Sequence, residues 1–476
     1  MTGEIHDLLG VGIGPFNLGL ACLAEPLDLD AVFLDARDGF AWHHGLMFED
    51  ATIQVPFLAD LVTLADPTSP YSFLAYLKQI GRLYPFYIRE DFQPLRAEYD
   101  AYCRWASERV GGLRWGREVV DVRREESPGD DGDDAPVYRV TAITREGTET
   151  YRARHLVLGV GTTPWAPIDH EPLDGDGTVA LHASDYLHRR EELLSLGSVT
   201  VVGSGQSAAE IYHDLLSGAG ADGPRVDWVT RSPRFFPMEY TKLTLEMTSP
   251  EYIDHFHALP ADQRDRMLRE QRSLYKGINA ELINEIHDLL YRRSVHGLGN
   301  GLLAAATTLD GATRETARGS AGSTGGAGSA GGALRLELSC ADTGRPWSHH
   351  TDGLVLATGY SPTPPRFLTG IADEIDRDER GRYRVARDHT VDRAHRTVHV
   401  QNAEEHTHGL TAPDLGMGAM RNSIILRSIC GREVYPVETS IAFQQFGAPP
   451  RPDTRPAQHT PTAHHSTPDT RHQEAR

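Results

Sequence analysis

The chain predicts an α/β fold: two Rossmann-like dinucleotide-binding domains, an inserted β-meander and a small substrate-binding region. Two glycine fingerprints and a change of hydrophobic period carry that expectation. The first fingerprint lies in DLLGVGIGPFNLGLA, with Gly12, Gly14 and Asn17 as its core. The second lies in VTVVGSGQSAAEIYHDLL, with Gly203, Gly205 and Ala208. Each follows a short apolar run and opens an apolar-periodic helix. There, glycines allow a tight turn and let a pyrophosphate meet the N–H groups of the helix start. One such motif is a weak signal; two, each with strand and helix flanks, predict a protein that holds two dinucleotides at once. Between them, residues 117–156 alternate apolar and polar side chains, the period of half-buried strands. An acidic glycine/aspartate stretch at 127–134 interrupts that meander.

Taken in order, residues 8–13 read as the first strand, 14–24 as its helix and 31–35 (AVFLD) as the second strand, ending in Asp35. An acid about 20 positions past the glycines is placed to accept ribose hydroxyls. Residues 70–83 and 94–110 read as helices, and HLVLGVGTTP at 155–164 as a buried strand ending in glycines. A second βαβ unit begins at 198, and its next strand, VDWVTR, ends in Arg231. An acid there would favour a free 2′-hydroxyl, whereas an arginine pairs with a 2′-phosphate. The second cradle is therefore expected to take NADPH, and the first FAD or NAD. DGLVLATGYSP at 352–362 is a further apolar strand ending in Gly359. Residues 1–170 with 350–446 are expected to form the first domain and the substrate-site elements, and 180–345 the second. The low-complexity stretch 318–333 is expected to be a flexible surface loop and the Pro/Thr/His/Arg-rich tail 447–476 to be disordered. The tail histidines are expected to be solvated, not metal ligands.

Composition narrows the function classes. The 476 residues are 39% hydrophobic and 24% charged, an ordinary globular balance with room for two or three domains. A net charge of −20 argues against nucleic acid or an anionic membrane as partner. No apolar run approaches the roughly 18 residues of a bilayer span. MTGEIHDLLGVG has no basic region ahead of its apolar stretch, so no signal peptide is expected. Cys22, Cys103, Cys340 and Cys430 are scattered without a C-x-x-C. No dithiol centre and no metal site are expected, and a cytoplasmic location is.

Six blocks then point to a family: GVGIGPFNL at 10–18, WHHGLMF at 42–48, DPTSPYSFLAYLKQIGRL at 66–83, GSGQSAAEI at 203–211, ATGY at 357–360 and THGL at 407–410. From residue 7 to about 446 the chain resembles the flavin-dependent N-hydroxylating monooxygenases. These oxidise the side-chain amine of lysine or ornithine, or a terminal amine of a diamine, in hydroxamate siderophore synthesis. The resemblance implies a tightly held FAD, NADPH as reductant, O2 as co-substrate, chemistry through a C4a-hydroperoxyflavin, and a homotetramer. It implies that Gly12, Gly14, Pro15 and Asn17 form the FAD pyrophosphate turn, that Asp35 takes the ribose, and that Trp42, His43 and Gln54 lie along the flavin. It places Gly203, Gly205, Gln206, Ser207 and Arg231 on NADPH, and brings His408 and Leu410 back near the isoalloxazine. No general base is assigned, because the flavin carries the chemistry.

Departures from the family pattern bear on the substrate. In amino-acid-hydroxylating relatives, the stretch matching 54–61 carries a lysine that pairs with the substrate α-carboxylate; here Ala59 stands there. A pocket serine of those relatives is matched by Gly416, and an asparagine of the ornithine enzymes falls near Leu274 in SLYKGI. A partly buried carboxylate without its cation costs about 3 kcal/mol or more. A substrate without a carboxylate avoids that cost, so a diamine is expected, cadaverine ahead of putrescine. Its distal ammonium needs an acceptor, and Glu239, Glu246 and Glu404 are the candidates by position. L-lysine N6-hydroxylation is the alternative within the family. A non-hydroxylating flavoprotein reductase or a redox-sensing protein is the alternative from another class.

Overall fold

The computed structural model describes residues 4–125, 136–220, 223–299, 301–315 and 333–448. The acidic stretch 127–134, nearly all of the glycine-rich stretch 318–333 and the tail from 449 lie outside the described residues. Two mixed α/β layers are built on separate sheets. The first has seven strands, in the order Leu113–Trp115, Ala31–Asp35, Ile5–Val11, Gly147–Leu158, Val137–Thr144, Glu118–Glu125, with Val398–Val400 also on Gly147–Leu158. The long strand Gly147–Leu158 does two jobs. Its first half pairs antiparallel with Val137–Thr144, and its second half runs parallel to Ile5–Val11. That is how an antiparallel meander joins a parallel nucleotide-binding core.

The second sheet is wholly parallel, in the order Leu303–Ala304, Arg225–Val229, Ser198–Val202, Gly353–Leu356, Val179–His182. Ser198–Val202, Val179–His182 and Gly353–Leu356 are buried at every position, as expected for parallel strands covered on both faces. A three-stranded antiparallel sheet (Thr307–Glu315, Ala333–Cys340, Pro346–Thr351) rises from this unit. Its register brackets the glycine-rich stretch. The two chain crossings between the main sheets lie side by side, where Thr163–Pro164 pairs antiparallel with Tyr360–Ser361.

The expected 70–83 helix is divided: Phe73–Gln79 and Leu83–Arg89 flank Gly81, whose φ of +75° interrupts the helical path. The C-terminal helix Gly418–Cys430 returns to pack on the first cradle helix, Pro15–Ala24, where the Asn422 amide donates to the Phe16 carbonyl at 3.1 Å. Among the described residues no helix is long and apolar enough to cross a membrane, and no cluster of His, Cys, Asp and Glu could hold a metal ion.

Candidate active site between two nucleotide cradles

Both fingerprints form strand–turn–helix cradles. Gly12 has φ +87°, and a Cβ there would stand 2.4 Å from the Gly159 carbonyl oxygen, so only glycine fits. Gly203 has φ +159°, and its Cβ would stand 2.2 Å from the Ala357 carbonyl. The next glycines behave differently. A Cβ on Gly14 meets nothing within 4 Å, and one on Gly205 meets only the Lys276 carbonyl at 3.6 Å. Gly14 and Gly205 are also the N-caps of their helices, and neither helix start carries a side-chain cap. The first amide donors of both helices are therefore left for a ligand, and open space lies over them. Both cradles fit a dinucleotide pyrophosphate.

The two turns are held by different means. Asn17 is 1% exposed; its amide donates to the Gly12 carbonyl at 2.8 Å, and its oxygen accepts from Gln401 at 2.7 Å. Asn17 is thus a clamp inside the first turn and does not reach outward to a ligand. Its neighbour Asp35 accepts from the Ile13 amide at 2.7 Å and from Arg37 Nε at 2.9 Å and Nη2 at 2.8 Å. Burial pushes the Asp35 carboxyl up, but the Arg37 and Ile13 hydrogen bonds outweigh it and hold its pKa below the usual value. A ribose hydroxyl would have to share this acid with Arg37. In the second turn the Trp228 indole donates to the Gly203 carbonyl at 2.8 Å, and no acid stands in the place of Asp35. Arg231 is exposed beside Trp165, 5.9 Å from its ring, and burial together with the charge of Arg272 lowers its pKa.

A polar chain joins the second cradle to the first unit. The Gln54 side-chain oxygen accepts from Asn279 Nδ2 at 3.3 Å, and the Asn279 amide donates to Gln206 Oε1 at 2.8 Å. Gln206 Nε2 in turn donates to Glu210 at 2.9 Å, and Glu210 receives both Nη atoms of Arg96 at 2.7 and 2.8 Å. Gln54 and Gln206, chosen for different cofactors, thus lie on one network, and Ser207 sits in the same first helical turn as Gln206. Trp42 packs on Tyr99 with ring centroids 5.2 Å apart. His43 is held at φ 49°, in the left-handed region, edge-on to Tyr360 at 5.6 Å. Such a φ in a non-glycine residue costs about 1 kcal/mol or more. Burial, then the Arg96 charge, lowers its pKa and favours the neutral ring.

The C-terminal segment corrects several expectations. His408 is buried, stacked on His389 at 4.5 Å and edge-on to His257 at 5.3 Å, so its ring packs among other histidines and not on an open surface. Leu410 and Leu274 do come together, in one apolar cluster with Tyr252, Phe256 and Phe446. Glu404 is not open to a substrate: it is fully buried, and Arg421 Nε lies 3.0 Å from its carboxylate. Glu246 is also engaged, accepting from the Gln444 amide and side chain, both at 3.0 Å, and so holds down the 439–448 segment. Ala59 and Gly416, 357 positions apart in sequence, do meet: a Cβ on Gly416 would lie 3.6 Å from that of Ala59. Asn279, the Arg96–Glu210 pair, Arg37 and Arg272 escaped the sequence reading. Only Arg37, two residues past Asp35, carried a local signal. A separate cavity of about 660 Å³, lined by paired charges such as Arg382 and Asp265, holds none of the expected site residues.

Comparison with known proteins agrees with this geometry. A putrescine N-hydroxylase of Shewanella oneidensis is 46% identical over 448 residues, covering 93% of this chain and 84% of that protein. The FAD-bound cadaverine monooxygenase of the desferrioxamine pathway from Erwinia amylovora superposes with a TM-score of 0.86 at 49% identity, covering 94% of this chain and all of that one. An ornithine N-hydroxylase from Kutzneria sp., solved with reduced FAD, NADP+ and L-ornithine, gives a TM-score of 0.78 at 28% identity over 90% of this chain and 99% of that one. Residues 4–362 match the family described as L-lysine 6-monooxygenase/L-ornithine 5-monooxygenase. With two uncapped cradles, and with that match across most of its length, the chain belongs to this family of monooxygenases.

Proposed function

We propose that the protein is an FAD- and NADPH-dependent N-monooxygenase that hydroxylates a terminal amine of a diamine, cadaverine ahead of putrescine, for a hydroxamate siderophore. One observation carries the substrate: Ala59, in place of the family's carboxylate-binding lysine, lies against Gly416. The named substrates of the similar Shewanella and Erwinia enzymes support the same reading.

In the first cradle, Gly12, Gly14 and Pro15 shape the turn that holds the FAD pyrophosphate, Asn17 locks it, and Asp35 with Arg37 faces the ribose. Trp42, His43 and Gln54 form the flavin-side wall. In the second, Gly203, Gly205, Gln206 and Ser207 take the NADPH pyrophosphate, and Arg231 with Arg272 takes the 2′-phosphate. When bound, FAD supplies the redox chemistry: hydride is accepted from NADPH, and one oxygen of O2 goes to the amine. The protein must exclude water and present that amine uncharged. The apolar cluster around Leu274 and Leu410 serves the first need. An alkylammonium loses its proton near pH 10.4, and a desolvating pocket lowers that value, which serves the second.

Exposed Tyr84, Tyr87 and Ile88 on the helix Leu83–Arg89, with Phe92 beside it, support a homo-oligomer, a tetramer in our proposal, working in the cytoplasm. The deciding experiment measures hydroxylated product, not NADPH oxidation, with cadaverine, putrescine, lysine and ornithine. Product formed chiefly from lysine would replace the diamine assignment. FAD-loaded protein that hydroxylates none of the four would leave a reductase or sensor.

A further inference from the structure

We propose that Asp414 is the recognition residue for the second ammonium of the diamine, and that it sets the site's preference for diamines. The assignment rests on the amine-hydroxylation function proposed above. Asp414 lies in the turn between the short helix Gly409–Thr411 and the helix Gly418–Cys430. One carboxylate oxygen accepts from the Met417 amide at 3.3 Å. The same oxygen would be 3.0 Å from a Cβ on Gly416, and that Cβ would be 3.6 Å from Ala59. Two of the three positions at which the resemblance marks a departure from amino-acid-hydroxylating relatives, Ala59 and Gly416, therefore meet beside this acid.

With Asp414, Glu404 and Arg421 all ionised, these three charges sum to minus one. Arg421 is the cation that acts on Asp414, but Arg421 is already paired with the buried Glu404. No lysine, arginine or histidine lies within ion-pair distance of Asp414 among the described residues. Burial pushes its pKa up, against hydrogen bonds from Gly416 and Met417 and the Arg421 charge, as expected for an anion short of a counter-charge. The other candidate acids are otherwise placed. Glu404 and Glu246 are occupied, and Glu239 is exposed on the surface. The charge of Asp414 also raises the pKa of the Tyr240 hydroxyl, after burial. An ammonium makes the local sum zero, and a carboxylate makes it worse. Glycine at 416 keeps space beside the acid, and alanine at 59 leaves it without an internal lysine to neutralise it.

The test uses the FAD-loaded enzyme with cadaverine and with 1-aminopentane, which has the same chain but no second ammonium. Asp414→Asn should lower kcat/KM for cadaverine about 10- to 100-fold, mainly through KM, the range a charged hydrogen-bond partner supports. It should change 1-aminopentane less than about threefold and leave NADPH-driven flavin reduction intact. Asp414→Glu should restore part of the loss and shift preference toward putrescine, because its carboxylate reaches one methylene further. Equal losses with both amines, or an unchanged cadaverine KM, would overturn the assignment. So would a cadaverine-specific loss of that size in Glu239→Gln. If Asp414→Asn does not retain FAD, the wild type decides, since equal use of the two amines would also overturn it. A wild type that hydroxylates no amine sinks the proposed function; one that hydroxylates diamines beside an unaffected Asp414→Asn sinks Asp414 alone.

Discussion

The two cradles share a fingerprint and differ in closure. The first is locked from within: Asn17 ties the turn to Gly12 and Gln401, and Asp35 is held by Ile13 and Arg37. The second is locked from behind, by Trp228, and its Gln206 reaches Asn279 and Glu210, which in turn meet Gln54 and Arg96 of the first unit. A turn whose polar groups are satisfied internally is rigid without ligand and suits a resident cofactor. A turn whose polar groups span two units suits a cosubstrate that enters and leaves. Glycine spacing alone does not distinguish these two uses.

The sharpest way to break this contrast is Gly12→Ala. A φ of +87° and a 2.4 Å approach to Gly159 leave no room for a methyl group. The variant should purify without the flavin absorbance near ~450 nm and lose at least ~100-fold in activity, the effect of losing the whole cofactor site. Next is Arg96→Gln, which leaves Glu210 buried without its cation at a cost of about 3–5 kcal/mol. A fall in Tm together with a rise in NADPH KM would show that the link between units also positions the second cradle; stability loss alone would make it purely structural. Arg231→Ala is smaller, with KM for NADPH up about 10- to 100-fold and KM for NADH unchanged, because only the 2′-phosphate contact is removed. Equal effects on both would move the phosphate to Arg272. Ala59→Lys should lower diamine turnover several-fold by placing an ammonium beside Asp414, and unchanged diamine kinetics would mean residue 59 does not face the substrate.

The smallest effect expected is one of pH on the first cradle. The folded pKa of Asp35 lies below its unfolded value, so its contribution to stability is complete above the unfolded value and is lost as pH falls through the folded one. FAD retention should therefore be flat from pH 9 to pH 5 and decline only below about pH 4. Loss near neutrality would point to a histidine instead. Turnover should rise toward mildly alkaline pH as more of the amine becomes neutral, and a rate falling from pH 7 to 9 would contradict that account.

Short-range features were legible in the sequence because their physics is short-range. A strand, a glycine turn and a helix form a contiguous unit, so both cradles and the Arg231 position could be read along the chain, as could the substitution at Ala59. Only the tertiary structure could decide what each polar group faces. Glu404 was a candidate acceptor until Arg421 came within 3.0 Å of it, and the packing of His408 against His389 and His257 had no local signal. Asp414 carried no signal in the sequence because the role proposed for it depends on Ala59, which folding brings against Gly416 beside it. The cost of burying a charge depends on every neighbour within a few ångströms, and most of those neighbours lie far away in sequence.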